Sequence, residues 1–387
     1  MVRISVYIYL LFSTFSVVGY FLPLYLQNRG LDAGQIGTTV ALGSLVAMVA
    51  QPFWGYMSDK KKTVKRILLL LMSGCLLASV GFFSMNTVLL IMIFYMLLMF
   101  FSTASGPLTE TLCISFAQEN NKEYGRLRLW GELGVGTSAF MLGFVIERIG
   151  VDYLWALYLM LMGAALCAGF LLRDSKATPK PVDLKALGRL LTKPRLLWFL
   201  LLIMLVGIPH RMNDTLLSLY LEQMNAPESY LGMAWLVATM STVPALLMVG
   251  KLIKRYNELT ILVIASLSYA IRWAIYSMTD NPIVLICAQA LHSMTFPLFL
   301  VAAITYLGSL VPSELRATGQ AAFAVTFGGL AGMIGSAGGG YAFDAIGPAA
   351  AYGIGSGLAL LGASAAIATY FYNKRNPDRN FANTLAG

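Results

Sequence analysis

The sequence predicts an all-α membrane protein, with twelve transmembrane helices in two pseudo-symmetric six-helix bundles. Three observations predict it. The 387 residues are 58% hydrophobic and only 12% charged, roughly half the charged share of a soluble domain. Apolar runs of about 20 residues, each enough for one crossing of a bilayer, recur along the whole chain. The segments around the first and seventh runs also repeat one another at a constant offset of 195 residues.

Each run must be helical, because in hydrocarbon every backbone N–H and C=O has to be satisfied within its own segment or in a closed barrel. Continuous apolar runs exclude the alternating pattern of a barrel. The predicted spans are 4–27, 34–57, 66–84, 87–112, 127–146, 153–172, 196–222, 230–250, 259–279, 283–307, 317–340 and 349–372. One long polar stretch, 173–195, carries Lys176, Pro179, Lys180, Pro181, Lys185 and Lys193. It is read as a cytoplasmic linker between an N-terminal bundle, 1–172, and a C-terminal bundle, 196–387. The N-terminal run has no small-residue cleavage site after it and reads as the first span, not as a signal peptide.

Lysine and arginine set the orientation. With both termini in the cytoplasm, the cytoplasmic segments and the span ends beside them (Arg66, Arg128) hold 23 of the 27 basic residues, and the outer loops hold only Arg29 and Arg148. The net charge of +9 then reflects topology and suggests no nucleic-acid partner. The expected location is the cytoplasmic (inner) membrane, with the lipid bilayer as solvent and the chain a monomer. Cys75, Cys113, Cys167 and Cys287 sit in apolar runs without metal-ligand spacing, so neither a metal site nor a disulfide framework is expected.

The repeat is specific in its details. Leu22-Pro-Leu24-Tyr25-Leu26 returns as Leu217-Ser-Leu219-Tyr220-Leu221, Gly37 as Gly232, Gly55 as Gly250, and Lys60 as Arg255. One register running through two spans and a basic loop is not expected of chance matches between apolar residues. Parallel repeats of this kind place a binding site near the midplane between the halves.

Ionisable groups inside spans are costly and point to function. The spans contain Glu110, Glu132, His210, Arg211, Asp214, Arg272 and His292. In Gly207-Ile-Pro209-His210-Arg211-Met-Asn213-Asp214, the i,i+3 and i,i+4 spacings let His210, Arg211 and Asp214 share a face, and Pro209 should loosen the helix locally. At about 1.5 Å per residue, Asp214, Arg272 and His292 fall at similar depths. This predicts a buried network of acid, guanidinium and imidazole, with Gln289 nearby. The aromatic residues Trp235, Tyr269, Trp273 and Phe296 offer faces that stack on a ring or simply fill the core.

Two motifs carry a resemblance. Gly55-Tyr-Met-Ser-Asp59-Lys60-Lys61-Lys62 resembles the glycine–aspartate–basic loop of the major facilitator superfamily, with a degenerate basic end. Pro107-Leu-Thr-Glu110, followed by Tyr124-Gly125-Arg126-Leu-Arg128-Leu-Trp130-Gly131, resembles the lactose permease branch of that superfamily. The phenylpropionate permease-like group is similar again, also in Arg272-Trp273 and Gln289-x-x-His292-x-x-Thr295. The resemblance covers nearly the whole chain. It implies the major facilitator fold, and a substrate-site ion pair between Glu110 and Arg128. It also implies proton-coupling positions at Arg272 and His292, and a conformational loop at Gly55, Asp59 and Lys60. Two departures stand out. Thr295 occupies the place of the proton-carrying glutamate, and 232–250 has no carboxylate.

The expectation is therefore a secondary active transporter of a small organic solute, of sugar, nucleoside or aromatic-acid class. It would work by alternating access and proton symport, with the proton as coupling ion and no cofactor. Substrate contacts are expected from Glu110, Arg128, His210, Asn213, Gln289 and Trp273. Coupling is expected from Asp214 and Arg211 with Arg272 and His292. The alternatives are a proton-coupled exporter of drugs or metabolites, or a non-transporting sensor or scaffold. No His-Glu-x-x-His or Gly-x-Ser-x-Gly occurs, so no catalytic residues and no enzyme are expected.

Overall fold

A computed structural model describes residues 1–174, 188, 190–312 and 315–375. Most of the segment read as a linker, 173–195, lies outside the described residues. The main helices are α1 (Val2–Ser16), α2 (Leu22–Asn28), α3 (Ala33–Lys61), α4 (Val64–Ser84), α5 (Val88–Ser102), α6 (Ser105–Glu119), α7 (Tyr124–Ile149) and α8 (Leu154–Phe170). There follow α9 (Pro194–Gln223), α10 (Glu228–Arg255), α11 (Glu258–Ser277), α12 (Pro282–Ala288), α13 (Phe296–Leu310), α14 (Arg316–Ala324) and α15 (Ala331–Arg375).

Among the described residues, 11 stretches are long and apolar enough to cross a membrane. The last runs for 58 residues, Thr318–Arg375, or about 87 Å of helix, far more than a bilayer core of about 30 Å. It turns at Gly347, whose φ of 81° falls where only glycine is comfortable, with Pro348 after it. The stretch is two spans, which makes twelve in all.

Several spans are not uniform helices. A π turn at Val17–Phe21 joins α1 to α2, and a break at Thr103–Ala104 separates α5 from α6. A 3₁₀ segment at Gln289–Met294 separates α12 from α13, and a second π turn fills Val325–Leu330. By contrast, α9 runs unbroken through Pro209. The loosening predicted for span 7 appears instead in spans 1, 4, 10 and 11. Span 4 also extends to Glu119, beyond the predicted end at 112.

The sequence repeat is visible as repeated contacts. The Tyr25 hydroxyl donates to the Phe83 carbonyl at the end of the third span. The Tyr220 hydroxyl donates to Tyr276 and Thr279 carbonyls at the end of the ninth. The first six spans meet the last six along two seams, α3 on α15 and α7 on α10. Gly37 abuts the Ser336 carbonyl, and its repeat partner Gly232 abuts the Ala139 carbonyl, so closely that a Cβ at either would clash with backbone. The Asp344 carboxylate accepts from the Gly34 N–H at 2.6 Å in the first of these seams. All these contacts lie toward one face of the bundle, the one carrying Asp32 and Gly347. At the opposite face, carrying Lys60 and Arg255, the glycines Gly55 and Gly250 have open space where a Cβ would project.

Candidate functional site

In the first six spans the predicted pair forms. The break at Thr103–Ala104 restarts the helix as α6, which presents Glu110, and α7 presents Arg128 three residues after its exposed Gly125. Arg128 Nε lies 3.2 Å from Glu110 Oε1, and Nη2 lies 3.0 Å from Glu132 Oε1 on its own helix. The side chains of Arg128, Glu110 and Glu132 are 33%, 44% and 21% exposed. Charged groups this far along a membrane helix avoid lipid and line a water-filled space or the bundle interior. The guanidinium lies 4.9 Å from the centre of the Phe12 ring on α1, which supplies a cation–π floor.

In the last six spans the predicted network divides. Arg211 Nη1 donates to Asp214 Oδ2 at 3.2 Å, with side-chain exposures of 35% and 28%. Its guanidinium also lies over the Phe327 ring at 4.9 Å. Arg272 does not reach Asp214. It is 1% exposed, donates from Nη1 to His292 Nδ1 at 3.0 Å, and from Nη2 to the Gln289 amide oxygen. A guanidinium only donates, so His292 Nδ1 accepts, and the neutral ring carries its proton on Nε2. Arg272 and His292 thus come together as expected, while the acid expected beside them pairs with Arg211 one turn away on α9.

The other predicted residues fall into the packed interior of the same half. His210 shares a hydrogen bond of 3.0 Å with the Tyr269 hydroxyl and stacks on Phe296, ring centres 5.1 Å apart. Asn213 accepts from the Tyr352 hydroxyl at 3.1 Å and is 2% exposed. Trp273 is fully buried among Tyr269, Tyr276 and Tyr352. Gln289 is likewise fully buried, at the start of the 3₁₀ segment. Asp59 makes no ion pair among the described residues, and Lys60 lies over the Tyr56 ring at 5.8 Å.

Sequence reasoning missed Tyr20. On the π turn of span 1, its ring stacks on Trp235 of α10, centres 3.7 Å apart and planes within 8°. This stack joins span 1 of the first half to α10 of the second. The signal was a glycine just before it and Pro23 just after it, in an otherwise regular apolar run. Among the described residues no group of His, Cys, Asp and Glu is arranged to hold a metal.

Residues 1–354 match the MFS_1 like family. The chain belongs to that family of major facilitator transporters. It is 26% identical over 340 residues to the maltose permease of Geobacillus stearothermophilus, covering 87% of this chain and 86% of that one. It is 24% identical over 327 residues to a probable 3-phenylpropionic acid transporter of Escherichia coli K12, covering 82% and 86%. Its fold superposes on the crystal structure of the nucleoside transporter NupG with a TM-score of 0.86, at 14% identity and over 95% and 98% of the two chains. The major facilitator fold expected from the motifs is thereby established. This member of the family is a multi-pass membrane protein that transports small solutes and is not an enzyme.

Proposed function

We propose that this transporter carries a small polar or aromatic organic solute of sugar, nucleoside or aromatic-acid class by proton symport. The observation that carries the reading is the cross-helix ion pair of Glu110 and Arg128, half-exposed within membrane helices, with a second partly exposed pair, Arg211 and Asp214, in the other half. Carboxylates and guanidinium groups bind hydroxyl and carboxylate oxygens in fixed geometry, and the Tyr20–Trp235 stack adds a ring face. The relatives' named solutes, maltose and 3-phenylpropionic acid, are of these kinds.

In this reading both termini and 173–195 face the cytoplasm of the inner membrane. The Lys60 face is then cytoplasmic, and the protein is open inward and sealed outward. The bundles 1–172 and 196–387 rock about the linker as one monomer. Closure of the cytoplasmic side brings Gly55 and Gly250 into contacts like those of Gly37 and Gly232, with Asp59 and Lys60 bearing on a neighbouring helix end. His210, Asn213, Gln289 and Trp273 shape the C-terminal wall of the site. Asp214, held by Arg211, exchanges the proton, and Arg272 and His292 set the field around it.

Counterflow in proteoliposomes tests the reading, with labelled maltose, uridine and 3-phenylpropionate as probes. One of the three should exchange, and an inward proton gradient should drive its accumulation. Exchange of none would overturn the solute classes, and accumulation only with a reversed gradient would make the protein an exporter. Topology has its own test. Ser175→Cys in a cysteine-free background should resist an impermeant thiol reagent in intact cells, and ready labelling from outside would invert the orientation.

A further inference from the structure

Arg128 has more negative charge around it than it can neutralise. Two carboxylates, Glu110 on α6 and Glu132 on α7, share one guanidinium. They are not equivalent partners. Glu132 is i,i+4 on the same helix and the less exposed of the two, at 21%, so its distance to Arg128 is fixed by helix geometry whatever the helices around it do. Glu110 is on a different helix and is 44% exposed. Its contact depends on how α6 and α7 lie against each other.

The guanidinium itself is immobilised. Its Nη1 is buried, without a hydrogen-bond partner, against Gly131, where a Cβ would come within 2.8 Å of it. Phe12 lies across its face at 4.9 Å. Any side chain at 131 would press on that nitrogen and force the plane to shift. Gly131 therefore lets Arg128 lie down along α7, which is the posture in which Nη2 meets Glu132 and Nε meets Glu110.

We propose that Glu132 is the permanent counter-ion of Arg128, and that this makes Glu110 the partner the site can release. The proposal deepens the reading of Glu110 and Arg128 as a substrate-site pair and rests on it for its functional meaning. A single ion pair facing a cavity is hard to open, because taking one partner leaves the other charge bare in a closing, dehydrating site. With Glu132 in place, Glu110 turns from Arg128 to a solute hydroxyl and the guanidinium stays neutralised. Glu132 is thus a positioning residue, acting through Arg128.

The surrounding groups allow this assignment to be isolated. On α6 the cluster has Glu110, with Cys113 three residues on, and α7 opens at Tyr124, four residues before Arg128. From α1 beyond its first turn come only the phenols Tyr7 and Tyr9, and the π turn adds Tyr20. Between Glu228 and Lys251, α10 carries no charged residue. Arg128 is the charge that meets Glu110 directly, and Glu132 meets the same guanidinium.

The test reads local charge at position 110 and needs no solute. In a background with the four native cysteines replaced, Glu110→Cys is reacted with an anionic and a cationic methanethiosulfonate of similar size. The ratio of the two rates reports the potential there. Glu132→Gln should raise the anionic-to-cationic ratio about tenfold or more, as one uncovered charge at close range predicts. Arg128→Gln should lower it by a comparable factor, the two together should return it to the starting value, and Glu132→Asp should leave it unchanged. A ratio that Glu132→Gln moves by less than twofold, while Arg128→Gln moves it strongly, would overturn the proposal. If the Glu110→Cys/Glu132→Gln protein fails to fold, rescue by Arg128→Gln supports a bare guanidinium as the cause, and failure of that rescue overturns it. A negative counterflow result would remove the transport meaning of the pair without altering these rates.

Discussion

The two ion clusters solve the problem of a membrane-buried arginine in opposite ways. Arg128 sits partly exposed with carboxylates on either side, whereas Arg272 is 1% exposed and is held by Gln289, His292 and the rings of Trp273 and Tyr276. Among the described residues no carboxylate reaches Arg272. Arg128 is held by two acids and keeps a third of its side chain open, so its pairing is not sealed by packing. Charge near Arg272 cannot be exchanged without unpacking, since neutral dipoles and ring faces are its whole solvation shell.

The largest effect that would break this comparison is on solute binding. Arg128→Ala and Glu110→Gln should each lower affinity by about 10- to 100-fold, the scale of a lost hydrogen bond to a charged group, while the protein still inserts and melts near the wild-type temperature. Direct binding measurements on the purified variants check it. Near-normal affinity in both would mean that the exposed cluster is structural after all.

Gln289→Leu should have a middling effect on binding and a larger one on stability. It removes the acceptor of Arg272 Nη2 and leaves that donor buried, at a cost of about 1–3 kcal/mol. A clear fall in melting temperature is expected, with binding weakened only in proportion to the unfolded fraction. A variant that melts like the wild type yet no longer binds would move Gln289 from the packing into the binding surface, and the contrast between the clusters would fade.

How legible these clusters were depended on what fixes them. The pair of Glu110 and Arg128 was readable because both residues lie in a motif with fixed spacing, and the fold places motif residues on facing helices. The pairing of Arg211 with Asp214 follows from helical spacing alone. The partners of Arg272 were half readable. Equal depth correctly brought His292 to it but wrongly added Asp214, because depth says nothing about rotation around a helix axis. Helix breaks were the least legible. Pro209 drew the expectation of a loosened span 7, yet α9 is continuous, and the π turns fall at Val17–Phe21, with Pro23 only after it, and at Val325–Leu330, with no proline in or beside it. The repeat was legible at two levels, and the second is the more informative. Gly37 and Gly232 are tight packing points while Gly55 and Gly250 are open, so the repeat pairs its glycines by position while the conformation separates them end for end.

The smallest expected effect on binding belongs to Asp214, and it sharpens the comparison most. Asp214 lies on the C-terminal side, yet by exposure, 28%, and by its exposed arginine partner it resembles the N-terminal cluster. It is also a partly exposed acid next in chain position to the buried group of His210 and Asn213, four residues and one residue from it on α9. A carboxylate that gains or loses water as a cavity opens and closes, beside a guanidinium that favours its ionised form, is poised to exchange a proton with each side in turn. Asp214→Asn keeps the shape and a hydrogen-bond acceptor for Arg211 but removes the exchangeable charge. It should abolish proton-driven accumulation while leaving counterflow, which needs no net proton movement, within about twofold of wild type. Loss of both activities together with a lower melting temperature would assign Asp214 to structure, as the partner Arg211 needs. Full proton-driven uptake by Asp214→Asn would take Asp214 out of the coupling altogether. The proton would then belong to the N-terminal cluster, and Glu110, the carboxylate that Glu132 leaves free to turn away from Arg128, would be its carrier.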